Sequence, residues 1–116
     1  MAVIISDVVY EALKSLENVY QSTYQKDLDV TYVVFNEVAE YPEFYSDGSV
    51  EGTGHDLELH ILGKVETDVH HYKDEIKSKL ISAGFDWKGN ANEFIQEIEY
   101  FHIQLNFYYL EENEEL

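Results

Sequence analysis

Phe101-His102-Ile103-Gln104-Leu105-Asn106-Phe107-Tyr108-Tyr109 decides the architecture. In an extended chain Phe101, Ile103, Leu105, Phe107 and Tyr109 fall on one side, and His102, Gln104, Asn106 and Tyr108 on the other. Alternation over that length predicts a β-strand with one face on a core and one face wet. His55-Asp56-Leu57-Glu58-Leu59-His60-Ile61 repeats the pattern, with Leu57, Leu59 and Ile61 inward and Asp56, Glu58 and His60 outward. Val30 to Phe35 is β-branched and aromatic with no polar side, which predicts a buried strand.

Two helices complete the pattern. Val9, Leu13, Leu16 and Tyr20 recur at helical spacing after Ser6, a candidate N-cap, and predict a helix over about Ser6 to Asn18. Val69, Tyr72, Ile76, Leu80 and Ala83 make an apolar stripe behind Thr67 or Asp68 as cap, and Gly84 falls where a left-handed C′ residue is expected. Phe85 and Trp87 predict a short strand before a turn at Gly89-Asn90. The expected fold is therefore α+β: a four-stranded mixed or antiparallel sheet packed with two main helices, in the order α-β-β-α-β-β. Residues 1–110 are read as a single domain, and 111–116, with Glu111, Glu112, Glu114 and Glu115, as a frayed acidic tail.

Between Asn36 and Gly54 the periodicity vanishes. This stretch holds the only proline, Pro42, with Gly48, Gly52 and Gly54, and reads as a long irregular loop. Core filling accounts for Phe35, Tyr72, Phe85, Phe101 and Phe107, but not for Tyr41, Phe44 and Tyr45 inside that loop. Aromatic side chains bury large area at low entropic cost, so the loop is the candidate protein-binding segment.

Charge narrows the function classes. Asp and Glu total 24 against 7 basic residues, a net charge of -17, and every basic residue is a lysine. Without arginine, the bidentate reader of phosphate, direct nucleic-acid binding and docking on an anionic membrane are not expected. Hydrophobic residues at 45% nevertheless supply a core. The absence of cysteine removes disulfides and thiolate chemistry. Met1 to Ile5 has no basic flank and stops at Ser6-Asp7, so neither a signal peptide nor a membrane span is expected.

No enzyme signature emerges. None of the serines sits in a Gly-x-Ser-x-Gly elbow, and Gly48, Gly52 and Gly54 make no phosphate cradle. His55 and His60 are an odd number of positions apart on one strand and face opposite sides, so they cannot share a metal. His70 with Asp74, and His71 with Glu75, are i,i+4 pairs that could each supply two ligands, but a site needs more. They read as a solvated helix face, and His102 as a hydrogen-bonded structural residue. No cofactor, metal or catalytic residue is expected.

Tyr32-Val-Val-Phe35, Tyr41-Pro-Glu-Phe-Tyr-Ser-Asp47, Leu57-Glu-Leu-His-Ile61, Asp68 opening a helix that ends Ala83-Gly84-Phe85, and Phe101 to Phe107 occur in that order over most of the chain. In spacing and order they resemble the small tail-completion (tail-terminator, head–tail joining) proteins of long-tailed bacteriophages and prophages. The resemblance implies a structural virion protein made in the host cytoplasm. It implies a ring, typically a hexamer, at the head-proximal end of the tail tube, with the tube protein and a head connector or stopper protein as partners. The subunit interface is then expected on Tyr41, Pro42, Glu43, Phe44, Tyr45 and Asp47. An acidic lining suits a channel that passes DNA without holding it. The Glu-rich terminus and heavy acidic excess depart from the family pattern. The alternative is an acidic DNA mimic or immunity-type inhibitor that caps a basic nuclease or DNA-binding protein.

Overall fold

The structure is a computed structural model and describes residues 4–21, 30–96 and 99–112. Its elements are α1 (Ile5–Ala12), β1 (Val19–Gln21), β2 (Tyr32–Phe44), β3 (Val50–Gly63), α2 (Glu66–Ser82), β4 (Asp86–Ile95) and β5 (Tyr100–Glu112). They form one sheet in the order β1-β2-β3-β5-β4. β1 runs parallel to β2 over Val19↔Val33 to Gln21↔Phe35, and every other pairing is antiparallel. The sheet is thus mixed, as one of the two expected forms, but has five strands where four were expected. The added strand is three residues long, too short to show a period. It begins just after Asn18, at φ 60°, and α1 stops at Ala12, six residues short of the expected end of the first helix.

One face of the sheet carries the main core. Val33, Phe35, Leu57, Leu59, Ile61, Ile103, Leu105 and Phe107 meet Ile5, Val9 and Leu13 from the N-terminal region, and Val69, Ile76 and Leu80 from α2. These are the inward positions of the two alternating runs and the helical stripe. Burying each such side chain is worth about 1.5–3 kcal/mol. On the other face a smaller cluster joins Tyr32, Val34, Leu62 and Tyr100, which explains why Val30 to Phe35 reads as apolar on both sides.

The capping expectations divide. α2 starts at Glu66 with Val65 as N-cap and no side-chain cap bond, so neither Thr67 nor Asp68 caps it; α1 is entered from Ile4, not Ser6. Gly84 does close α2 at φ +99°, with Phe85 N donating to Leu80 O and Gly84 N to Ile81 O. Gly89-Asn90 makes no turn: Gly89, at φ +115°, sits beside a β-bulge within β4, and the strand runs on to Ile95. Glu111 and Glu112 are not a frayed tail but pair with Thr53 and Gly52 as the end of β5; residues 113–116 lie outside the described set.

The largest correction concerns Asn36 to Gly54, which is a long hairpin and not a loop. β2 and β3 pair from Tyr32↔Leu62 out to Phe44↔Val50, and the reversal occupies only Tyr45 to Ser49. There Tyr45 N donates to Ser49 O and Gly48 adopts φ +89°. Pro42 is tolerated because β1 covers β2 only at Val33–Phe35, leaving its outer edge unpaired at Pro42 among the described residues. Period-2 hydrophobicity is missing because this half of the hairpin extends past the main core cluster.

Candidate functional site

The outer halves of β2 and β3, with the end of β5, form an arm on a molecule whose principal extents are 50 × 24 × 22 Å. With little apolar burial of its own, the arm is held by polar cross-links on both faces. On the helix-side face His55, 2% exposed, sits between two carboxylates. Its Nδ1 lies 2.9 Å from Glu37 Oε2 on β2, and its Nε2 3.0 Å from Glu111 Oε1 on β5. When protonated, the ring donates from both nitrogens and ties three strands together. Glu40, the cross-strand partner of His55, stands on the same face because the bulge between Glu37 and Ala39 re-aims it. Glu37, Glu40 and His55 bring potential ligand atoms within 4.8 Å of one another, so they are the described residues that could hold a cation.

On the opposite face two phenols do the same work. Tyr41 Oη donates to Asp56 Oδ1 at 3.0 Å, and Tyr108 Oη donates to Glu43 Oε2 at 3.0 Å. Desolvation, followed by the Glu43 hydrogen bond and charge, pushes the Tyr108 phenol up to about 12. Tyr41 is raised as well, by desolvation and then by Asp56. Gly54 makes room for both rings: a Cβ there would lie 2.8 Å from Tyr41 Cε2 and 3.0 Å from Tyr108 Cε1.

The tip is apolar and solvent-facing, with Phe44 57%, Tyr45 55% and Val50 45% exposed. Asp47 organises the reversal by accepting from Ser49 N at 3.0 Å and Ser49 Oγ at 2.6 Å, and these bonds hold its carboxyl below the usual range. The structure therefore divides the six residues singled out from sequence. Tyr41 and Glu43 point into cross-links, Asp47 shapes the turn, and Phe44 and Tyr45 are presented at the end, with Pro42 exposed on the β2 edge. From Asn36 to Asp56 there are six acidic residues and no lysine.

A second polar assembly crosses β3, β5 and β4 on the open face. Glu58 bonds His60 Nε2, His60 Nδ1 lies 2.7 Å from His102 Nε2, and His102 Nδ1 lies 2.6 Å from Glu93 Oε1. One nitrogen of the central pair must donate and the other accept, so the chain holds a proton between the two rings. His102 is thus hydrogen-bonded, as expected of it. His60, read only as an outward residue, is buried at 7% exposure. His70 faces Glu66 at 3.8 Å and Lys73 Nζ at 3.3 Å, and His71 is exposed. Sequence reading passed over both assemblies because their members come from three strands each; the available signal was the opposite facing of His55 and His60 among so many acids.

No protein-family model matches the sequence, and no curated protein matches it. Among solved structures the chain is similar to one from the virion of a native gene transfer agent particle, with TM-score 0.62 and 16% identity over 90% of this chain and 92% of that one. The two share a fold across nearly their whole lengths.

Proposed function

We propose that the chain is a structural subunit of a phage-type virion, which assembles as a ring at the head-proximal end of a tail tube and joins it to the head. The observation that carries this reading is the fold shared, over 90% of this chain, with a chain of a gene transfer agent virion. The arm supplies a means of assembly: a stiff, acidic, three-stranded projection with Phe44, Tyr45 and Val50 at its tip. Exposed aromatic groups on a preorganised support dock with little entropy left to lose. In this reading the chain performs no chemistry, its buried histidines serve as cross-links, and its acidic surface lets DNA pass without adhering.

The test is the mass of the purified protein in solution over a concentration series, with and without tail-tube protein, combined with imaging. Rings, or caps on tube ends, are the expected result. Changing Phe44, Tyr45 and Val50 together to Ser is expected to abolish capping and leave the fold intact. A chain that stays monomeric at all concentrations and ignores tubes refutes the reading and favours the acidic-inhibitor alternative.

A further inference from the structure

Glu37, Leu57, Phe107 and Trp87 form one transverse row of the sheet, each Cα-paired with the next. Among the described residues the row ends at two edges that no further strand covers. β4 is outermost on one side, and on the other β1 covers β2 only as far as Phe35. Both edges carry a β-bulge beside this row, with Val38 as the extra residue in β2 and Lys88 in β4. A bulge interrupts the ladder, so neither edge offers a regular strand for pairing; each presents side chains instead.

Those side chains are complementary. The β2 edge shows Glu37 and Glu40 on the helix-side face, with Val38 60% exposed between them. Glu37 is held in place by its bond to His55. On the β4 edge Trp87 is 41% exposed and Lys77 Nζ from α2 stands 3.8 Å from its ring centroid, whereas Lys88 Nζ lies 5.6 Å from the centroid of the Tyr108 ring on the opposite face. Five of the seven lysines fall between Lys64 and Lys88, and none between Asn36 and Asp56. In sequence the positive charges thus cluster away from the β2–β3 hairpin.

We propose that these two edges are the halves of a head-to-tail contact between copies of this chain, Glu40 meeting Lys77 and Val38 meeting Trp87. The occupant is a second copy because both halves lie on one chain, in the same transverse row and about the same face. A rotation about an axis along the strands brings two such halves together, and repeating it closes a ring. Copies carrying -17 each repel one another. Association therefore depends on setting Lys77 against Glu40, which also decides which edges meet. The inference rests on the ring reading and adds the surfaces that build it.

The test uses the full chain in sedimentation velocity, from micromolar to near-millimolar concentration. Glu40→Lys and Lys77→Glu are each expected to weaken association at least about tenfold, since like charges then face one another. An equimolar mixture of the two variants is expected to associate as the wild type does, because every contact in an alternating assembly again pairs opposite charges. Misfolded variants could not show that rescue. Trp87, the only tryptophan, is expected to shift its emission to the blue on association. Wild-type rings that ignore both reversals, or a mixture that stays monomeric while the wild type associates, overturn this inference alone. A wild type that never associates overturns it together with the ring reading.

Discussion

Replacing Tyr108 with Phe removes one hydroxyl and isolates a single cross-link of the arm. In the folded protein the phenol donates to Glu43 at 3.0 Å, and its pKa is pushed from 10.0 up to about 12. A group raised in this way favours the fold while it is protonated. Its contribution is complete below pH 10 and disappears as the pH climbs toward about 12. A two-unit shift fully transmitted to stability corresponds to ~2.7 kcal/mol. Tyr108 is only partly buried and its partner reaches water, so screening leaves about 1 kcal/mol. Denaturant unfolding of both proteins at a series of pH values measures this directly. The wild type is expected to exceed Tyr108→Phe by about 1 kcal/mol near neutrality, and the difference to close between pH 10 and pH 12. Comparison with the variant cancels the other tyrosines. A gap that stays constant through that range refutes the argument that the Glu43 bond and burial hold the phenol neutral.

Gly52→Ala is expected to destabilise by about 3 kcal/mol or more, because a Cβ would sit 2.2 Å from the Glu111 carbonyl oxygen, a backbone atom that cannot swing aside. Gly48→Ala has open space around it and is expected to cost only about 1–2 kcal/mol for its left-handed φ; equal melting temperatures for the two variants contradict this ranking. His55→Ala is expected to cost about 2–3 kcal/mol by removing the buried ring that links Glu37 and Glu111, and adding Glu37→Gln and Glu111→Gln is expected to recover part of it in the same melting assay. Lys77→Ala is expected to lose about 0.5–1 kcal/mol of cation–π attraction and to change the emission of Trp87, whereas Lys79→Ala changes neither.

The parts of the fold legible in the sequence are those where a core imposes its period. Leu57, Leu59 and Ile61, the alternating run from Phe101 to Tyr109, and Val69, Ile76 and Leu80 are each found in or packed on the main core. The hairpin was hidden for the converse reason. Past Phe35 the strands carry polar cross-links in place of a continuous apolar face, so Gly52 and Gly54 look like turn residues when they serve close packing within β3. β4 was obscured by Gly89-Asn90, a hairpin signal that here marks a bulge. The site was legible in its location only. Tyr41 to Asp47 marks the tip and its approach, but the clasp of Glu37, His55 and Glu111 depends on register between strands far apart in sequence, which no local pattern encodes.

β5 follows every other element in chain order yet lies between β3 and β4 in the sheet. A ribosome making this protein therefore releases β4 before the strand that β4 must pair with exists. Until β5 emerges, Leu57, Leu59 and Ile61 lack their neighbours on that side, Phe107, Leu105 and Ile103, and the His55 clasp lacks Glu111. Non-local pairing of this kind closes late. A nascent chain thus cannot present a finished arm, nor the edge carrying Trp87, before β5 is in place, so an interrupted translation product lacks both surfaces through its inability to complete the sheet.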